Sequence, residues 1–163
     1  MSSRRNFIKN TSLAGAGLFA VPGFAKNIYS AADKLNVAMI GVGLRGTNHL
    51  QNLLLRKDVN VTAICDVDPS RIMLAKDLIS KAGAKPPQEF GASDYDYRNL
   101  LELKEVDAVI IATPWLWHTR MTVDAMKAGK YAGVEVSASN TLEECWDLVN
   151  THEDTGTHMM ILE

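Results

Sequence analysis

The sequence predicts an α/β domain built on a doubly wound parallel sheet. From Lys34 onward, short apolar runs alternate with amphipathic stretches at the spacing of strand–helix–strand units. The predicted strands span residues 35–40, 59–65, 108–112, 131–136 and 159–162, with a short further strand at 89–90. Because these runs are mostly apolar, instead of alternating with polar residues, both faces of the sheet are expected to be covered.

Five predicted helices fill the intervals between these strands. The first helix follows Gly46, and the second begins at Pro69 behind the N-cap Asp68. The third and fourth cover residues 95–103 and 117–128. The fifth begins at a capping box of Thr141 and Glu144 and runs to about Asp154. Helical spacing predicts the core-facing residues Leu50, Leu53, Leu54, Ile72, Ala75, Ile79, Ala82, Met121, Ala125 and Ala128.

Composition excludes several classes of protein. The chain has 163 residues, with 17 basic and 19 acidic side chains and a net charge of −2. No basic cluster favours nucleic acid or an anionic membrane as a partner. The two cysteines, Cys65 and Cys145, lack the spacing of metal ligands, so no metal site is predicted. We interpret them as free thiols instead of a disulfide, since one falls in a predicted strand and the other in a predicted helix.

The first residues differ in kind from the rest. Residues 3–9 read Ser-Arg-Arg-Asn-Phe-Ile-Lys, a twin-arginine pattern, and an apolar stretch follows at 13–21. That stretch is too short to span a bilayer. We interpret residues 1–30 as a signal peptide and linker cleaved near Ala25, the alternative being an unstructured tail. The expected location is periplasmic or extracytoplasmic, and residues 34–163 form the folded domain.

A glycine motif follows the first predicted strand. Residues 41–46 read Gly-Val-Gly-Leu-Arg-Gly and open the first predicted helix. In this context, Gly41 makes a tight turn, Gly43 lets the backbone approach a pyrophosphate, and Gly46 lets the helix pack on the strand. The amino end of the helix then binds the phosphates. This predicts an NAD(P)-binding Rossmann fold, against the alternative of a glycine turn without a ligand.

An acidic residue follows the second predicted strand. Asp66 lies 25 residues after Gly41, where a carboxylate would bind the adenosine ribose hydroxyls and repel a 2′-phosphate. Asp68 is the competing candidate, although an N-cap before Pro69 is its better role. Arg71 could contact a 2′-phosphate, but a solvated helix position is the simpler interpretation. The predicted cofactor is therefore NAD.

Further segments carry a family resemblance. Ala112-Thr113-Pro114, His118, Ala128-Gly129-Lys130 and Glu135 accompany the glycine motif. Together they resemble the N-terminal half of the glucose-fructose oxidoreductase/inositol dehydrogenase (Gfo/Idh/MocA) family. In that family the fifth strand usually ends in Glu-Lys-Pro, whereas this chain has Val136 in place of the lysine. Valine can neither stabilise an alkoxide nor transfer a proton, which disfavours an ordinary dehydrogenase.

The remaining motifs narrow the resemblance to one branch. Residues 114–118 read Pro-Trp-Leu-Trp-His, residues 133–136 Gly-Val-Glu-Val, and residues 141–146 Thr-Leu-Glu-Glu-Cys-Trp. These segments are similar to the NAD-dependent α-N-acetylgalactosaminidases, glycoside hydrolases on the oxidoreductase scaffold. Beside the motif glycines Gly41, Gly43 and Gly46, the resemblance implies cofactor contacts from Leu44, Arg45, Asp66, Trp115, Leu116, Trp117, His118, Glu135 and Val136.

Several of these residues also have a simpler structural interpretation. Arg45 could be a solvated residue of the first helical turn. Trp115 and Trp117 could be packing residues, and His118 could cap or pack at the start of its helix. Glu135 could pair with a lysine. The other histidines share no motif and are assigned structural roles: His49, His152 and His158.

The resemblance also implies a mechanism. The sugar would be oxidised at C3, the C1 substituent eliminated, water added and C3 reduced again, an exception to hydrolysis by two carboxylates. The catalytic acid and base are expected in an α+β substrate domain beyond Glu163, so no catalytic residue is assigned, and homo-oligomer formation through that domain stays open. The expected substrate is an α-N-acetylgalactosaminide. The alternatives are an exported NAD-dependent sugar dehydrogenase and a non-enzymatic dinucleotide-binding protein.

Overall fold

The computed structural model describes residues 34–162, which form one α/β unit. The signal peptide predicted at residues 1–30 lies outside the described residues. The elements are β1 (Leu35–Ile40), α1 (Leu44–Leu54), β2 (Val59–Cys65), α2 (Pro69–Lys81), β3 (Gln88–Phe90), α3 (Tyr97–Leu101), β4 (Ala108–Ile111), α4 (His118–Lys127), β5 (Tyr131–Glu135), α5 (Leu142–Thr155) and β6 (Met159–Leu162). One turn of 3₁₀ helix, Trp115–Trp117, precedes α4.

The strands form one sheet in the order β3-β2-β1-β4-β5-β6, and every neighbouring pair is parallel. The chain runs outward from β1 to β3, then returns to β4 beside β1 and runs outward to β6. The predicted doubly wound sheet is confirmed. Since the direction of winding reverses between β1 and β4, the loops after these two strands diverge and leave a crevice at their carboxyl ends.

Both faces of the sheet are covered. Alternate residues of β1 face opposite sides: Ala38 and Ile40 join one buried cluster, and Met39 joins the other. The cluster around Met39 includes apolar residues of α1 and α2, whereas the cluster around Ala38 includes residues of α3, α4 and α5. Because both faces of these strands are buried, apolar residues are favoured at successive positions, which explains the near-continuous apolar runs.

The caps are those the sequence predicts. Asp68 accepts a hydrogen bond from the backbone N–H of Ser70 at 2.8 Å, and Pro69 follows in the first turn of α2. The side chain of Thr141 accepts from the N–H of Glu144, whose carboxylate accepts from the N–H of Thr141 in return. Each cap satisfies N–H groups that have no partner within the helix. The cysteines are free thiols, as predicted.

One predicted helix is shorter than expected. The spacing predicts a helix over 95–103, whereas α3 covers only Tyr97–Leu101. Asp96 explains its late start, because its carboxylate accepts from the N–H groups of Gly91 and Ala92 and holds the preceding residues in a turn. Such side-chain bonds to the local backbone compete with helix formation.

The prediction that Ala82 and Ala128 face the core is wrong. Ala82 and Ala128 are exposed, because each is the C-cap of its helix, and the chain then turns away at a glycine with positive φ. Element boundaries also shift: α1 begins at Leu44, before Gly46, while β4 and β5 each end one residue early. The buried face of a helix ends where its backbone hydrogen bonds end.

Candidate functional site

The glycine turn between β1 and α1 has the geometry its sequence predicts. Gly41 has φ +86°, and a Cβ there would lie 2.7 Å from the carbonyl oxygen of Ala112. A Cβ on Gly46 would lie 2.1 Å from the carbonyl oxygen of Gly41. Nothing lies within 4 Å of a Cβ built on Gly43. Two glycines are therefore required by packing within the chain, and the third faces open space.

The amino end of α1 offers unsatisfied donors beside that space. Gly43 is the N-cap and has no side chain with which to cap the helix, and the first turn contains no acidic residue. The first N–H groups of a helix have no partner within it, and the helix dipole places partial positive charge there. An anion such as a pyrophosphate fits this position.

A cleft of about 330 Å³ lies over this turn, at the carboxyl ends of β1, β2 and β4. Its lining includes Gly41, Gly43, Asp66, Asp68, Arg71, Thr113, Pro114 and Trp117. A larger groove lies at the amino ends of the strands, but it contains none of the predicted site residues. In doubly wound sheets, ligands bind at the carboxyl ends, so the smaller cleft is the candidate site.

Asp66 is fixed at the floor of the cleft by two backbone groups. Its Oδ2 accepts from the N–H of Val42 at 2.8 Å, and its Oδ1 accepts from the N–H of Asp68 at 3.0 Å. A carboxylate has about four acceptor positions, so both oxygens keep capacity for hydroxyl donors. Asp66 is therefore oriented and able to accept further hydrogen bonds from a ribose.

Gly91 packs against the backbone of Asp66 and was not predicted as a site residue. It follows β3, and a Cβ there would lie 2.1 Å from the backbone oxygen of Asp66. Any side chain would displace the loop that follows β2. The signal in the sequence is a glycine directly after a short strand, which by itself does not indicate which loop it contacts.

Negative charge predominates at the Asp66 end of the cleft. Asp66, Asp68 and Asp94 line it together with a single arginine, Arg71. Hydrogen bonds from Ser70 hold the pKa of Asp68 below its usual range, so that carboxylate is ionised at neutral pH. Three carboxylates against one guanidinium make this end unfavourable for a further phosphate.

The Trp-x-Trp-His segment divides between the cleft and the surface. Trp117 lines the cleft, and its ring packs edge to face against Tyr95 with centroids 5.5 Å apart. Trp115 and Leu116 lie on the 3₁₀ turn and are exposed, as is Leu44 at the start of α1. Contact of these exposed side chains with a cofactor stays a prediction.

His118 is fully buried between two loops. Its Nδ1 lies 2.8 Å from the carbonyl oxygen of Ser137, and its Nε2 lies 2.7 Å from that of Thr113. The ring therefore joins the loop after β4 to the loop after β5. This geometry gives His118 a role in positioning both loops, whereas its predicted direct contact with a cofactor stays a prediction.

Glu135, the last residue of β5, is buried beside the amino end of α1. Its Oε1 accepts from Arg45 Nη2 at 2.9 Å and lies 2.5 Å from His49 Nε2. Burial opposes ionisation of Glu135, but the hydrogen bonds from His49 and Arg45 outweigh it and lower its pKa. The partners are thus an arginine and a histidine where a lysine was considered, and sequence reasoning had assigned His49 only a structural role.

Val136 follows Glu135 and is exposed, and its uncharged side chain lies at the position where the resemblance leads one to expect lysine. Residues 34–162 contain no group of three or more histidine, cysteine, aspartate or glutamate side chains placed to hold a metal ion. Over the same range, no helix combines the length and apolarity that a membrane span requires.

Comparison with known proteins gives consistent results. Residues 35–162 match the Gfo/Idh/MocA family model, described as an oxidoreductase family with an NAD-binding Rossmann fold. A relative from Solibacter usitatus, named glycosyl hydrolase family 109 protein, is 40% identical over 99% of this chain. A Tannerella forsythia protein named alpha-N-acetylgalactosaminidase is 38% identical over 99% of this chain. The chain spans 39% and 38% of the lengths of these two relatives.

Solved structures share the fold at lower identity. The myo-inositol 2-dehydrogenase of Lactobacillus plantarum superposes with a TM-score of 0.68 at 22% identity, over 80% of this chain and 36% of that one. The scyllo-inositol dehydrogenase of Lactobacillus casei gives a TM-score of 0.68 at 18% identity, over 79% of this chain and 36% of that one. These matches show the same fold, and the family-model match, with the cleft and glycine turn described above, supports a dinucleotide-binding domain. The chain belongs to the Gfo/Idh/MocA family of oxidoreductases, and residues 35–162 are its NAD-binding Rossmann fold.

Proposed function

We propose that the full-length protein is an NAD-dependent glycosidase that removes terminal α-linked N-acetylgalactosamine. One observation carries the proposal: a cleft lined by the glycine turn and Asp66 occurs in a chain 38–40% identical, over 99% of its length, to proteins named as glycosidases. Val136 supports it, because an apolar side chain after Glu135 cannot deliver the proton that an ordinary dehydrogenase of this scaffold needs.

The charge around Asp66 favours NAD over NADP. The ribose hydroxyls would donate to Asp66, whose orientation is fixed by Val42 and Asp68. A 2′-phosphate would instead meet the carboxylates of Asp66 and Asp68, with only Arg71 to offset them. We therefore propose NAD as the cofactor.

Three parts of the cleft have defined tasks in this proposal. The N–H groups at the amino end of α1 bind the pyrophosphate above Gly43, and Asp66 orients the adenosine ribose. Trp117 forms part of one wall of the cleft. Bound by these residues, NAD would supply a hydride acceptor for the sugar that is restored within one catalytic cycle. The catalytic acid and base are proposed to lie in the part of the full-length protein that is absent from this chain.

Export through the twin-arginine route is part of the proposal. The pattern at residues 3–9 supports it, and that route carries proteins that are already folded. A protein that recycles its cofactor in place needs no further supply after export. Location and mechanism are therefore compatible.

The test is an assay of the full-length protein with an aryl α-N-acetylgalactosaminide. We expect release of N-acetylgalactosamine without net NADH, and NAD retained through purification. Net NADH with a free sugar would instead indicate a sugar dehydrogenase. Binding of NAD without turnover of either substrate would indicate a non-enzymatic binding protein.

A further inference from the structure

The cluster of Arg45, His49 and Glu135 joins the first helix to the fifth strand. Arg45 and His49 are four residues apart on α1 and therefore share one face of the helix. Both reach the same oxygen, Oε1 of Glu135, which is only 6% exposed. The pairs are separated by 90 and 86 residues in sequence, so this is a tertiary contact.

The chemistry of the three groups fixes the direction of the hydrogen bonds. An ionised carboxylate only accepts, so Nε2 of His49 carries the hydrogen that it donates to Glu135. Arg45 donates from Nη2 to the same oxygen. Without His49, the buried carboxylate would have one donor fewer and more freedom to rotate toward Arg45 or away from it.

Arg45 is well placed to act on an anion beyond this cluster. It lies in the first turn of α1, and its side chain is 55% exposed. A guanidinium has five N–H donors, and the contact with Glu135 uses only one of them. The remaining donors are available on the exposed side, at the end of the helix where anions are favoured.

We propose that His49 is a positioning residue for the cofactor site: it fixes the Glu135 carboxylate, which in turn holds the Arg45 guanidinium at the amino end of α1 to bind the pyrophosphate. The inference rests on the proposed dinucleotide binding and adds a residue that contacts the site only through two others. A packing role alone would make the effect of His49 independent of Arg45.

The experiment is a double-mutant cycle on the full-length protein, with the affinity for NAD measured by calorimetry. The variants are His49→Leu, Arg45→Met and the two combined. We expect His49→Leu to bind NAD about tenfold more weakly, the scale of one hydrogen bond to a charged group. In the Arg45→Met background, the same substitution should cause no further loss, because the two residues act as one unit.

Two further variants separate positioning from stability. His49→Gln keeps an N–H donor and should recover affinity to within about threefold of the wild type. His158→Leu is the matched control, since His158 is an exposed histidine just before β6, at the end of the sheet opposite the cleft. It should bind NAD as the wild type does. Should His49→Leu not fold, His49→Asn replaces it, because the shorter amide does not span the same distance.

The outcomes are distinct. The inference would be overturned, with the proposed function left in place, by either of two results. One is wild-type affinity for NAD in His49→Leu. The other is an equal loss of affinity in the presence and absence of the Arg45 guanidinium. A wild-type protein that binds neither NAD⁺ nor NADH would overturn both. The positioning role is supported if His49→Leu weakens NAD binding only when Arg45 is present, and His49→Gln restores the affinity.

Discussion

The carboxylate of Asp66 accepts a hydrogen bond from the backbone N–H of Val42, at 2.8 Å. This contact joins the end of β2 to the middle of the glycine turn after β1. The acid proposed to bind the ribose and the turn proposed to bind the pyrophosphate are therefore held in one fixed arrangement. Groups that are already oriented lose less conformational entropy when a ligand binds.

Replacing Asp66 should weaken NAD binding directly. Asp66→Ala removes the acceptors for the ribose hydroxyls, and we expect a loss of about 1–3 kcal/mol in binding free energy by calorimetry. The matched control is Asp77→Ala, on α2, where the carboxylate pairs with Lys81 at the surface. Unchanged affinity in Asp66→Ala would refute the role assigned to this residue.

Substitution by alanine at two glycines of the same turn should affect two different properties, stability at Gly46 and NAD binding at Gly43. Gly46→Ala would place a Cβ 2.1 Å from the Gly41 carbonyl oxygen, and the strain should lower the free energy of unfolding by about 1–3 kcal/mol.

Gly43→Ala meets no atom within 4 Å and should leave the thermal midpoint nearly unchanged. It should nevertheless weaken NAD binding, because the methyl group enters the space proposed for the pyrophosphate. Thermal unfolding and calorimetry of both variants measure the two effects. Equal affinities for NAD in Gly43→Ala and the wild type would place the cofactor elsewhere.

Glu135 should make the stability of the fold sensitive to acid. Despite burial, hydrogen bonds from His49 and Arg45 lower its pKa in the folded state below the unfolded value of about 4.3. The ionised carboxylate therefore stabilises the fold fully above that unfolded value, and the stabilisation is lost as the pH falls through the lower, folded pKa.

Glu135→Gln cannot ionise, so the wild type should be the more stable protein at pH 7, and the difference should shrink on acidification below about pH 4. Denaturant unfolding of both proteins across this range measures the difference. A gap that stays constant from pH 7 to pH 3 would contradict the assignment.

The two cysteines should differ sharply in reactivity. Burial, with the nearby charges of Asp96 and Asp66, raises the pKa of Cys65 to about 12, whereas Cys145 is exposed on α5. Since the thiolate is the nucleophile, iodoacetamide at pH 8 should modify Cys145 and leave Cys65 unmodified until the protein is denatured. Peptide mass spectrometry identifies the modified residue. Cys65 lines the cleft, so comparable modification of both thiols in the folded protein would contradict its burial there.

Local sequence patterns predict much of the architecture. Apolar runs predict the strands, and the Asp68 and Thr141 caps predict where α2 and α5 begin, because these signals act between residues a few positions apart. The glycine turn belongs to the same class, since the roles of Gly41 and Gly46 follow from their spacing between a strand and a helix. The cleft at the ends of the strands could therefore be located from sequence.

The tertiary structure alone decided how distant parts of this site meet. Sequence reasoning selected Glu135 and Arg45 separately, but their pairing, and the participation of His49, required β5 and α1 to be brought together across some 90 residues. The burial of His118 between Thr113 and Ser137 likewise depends on the adjacency of β4 and β5. Local periodicity specifies which residues form each element, whereas contacts between elements depend on the order of the strands in the sheet.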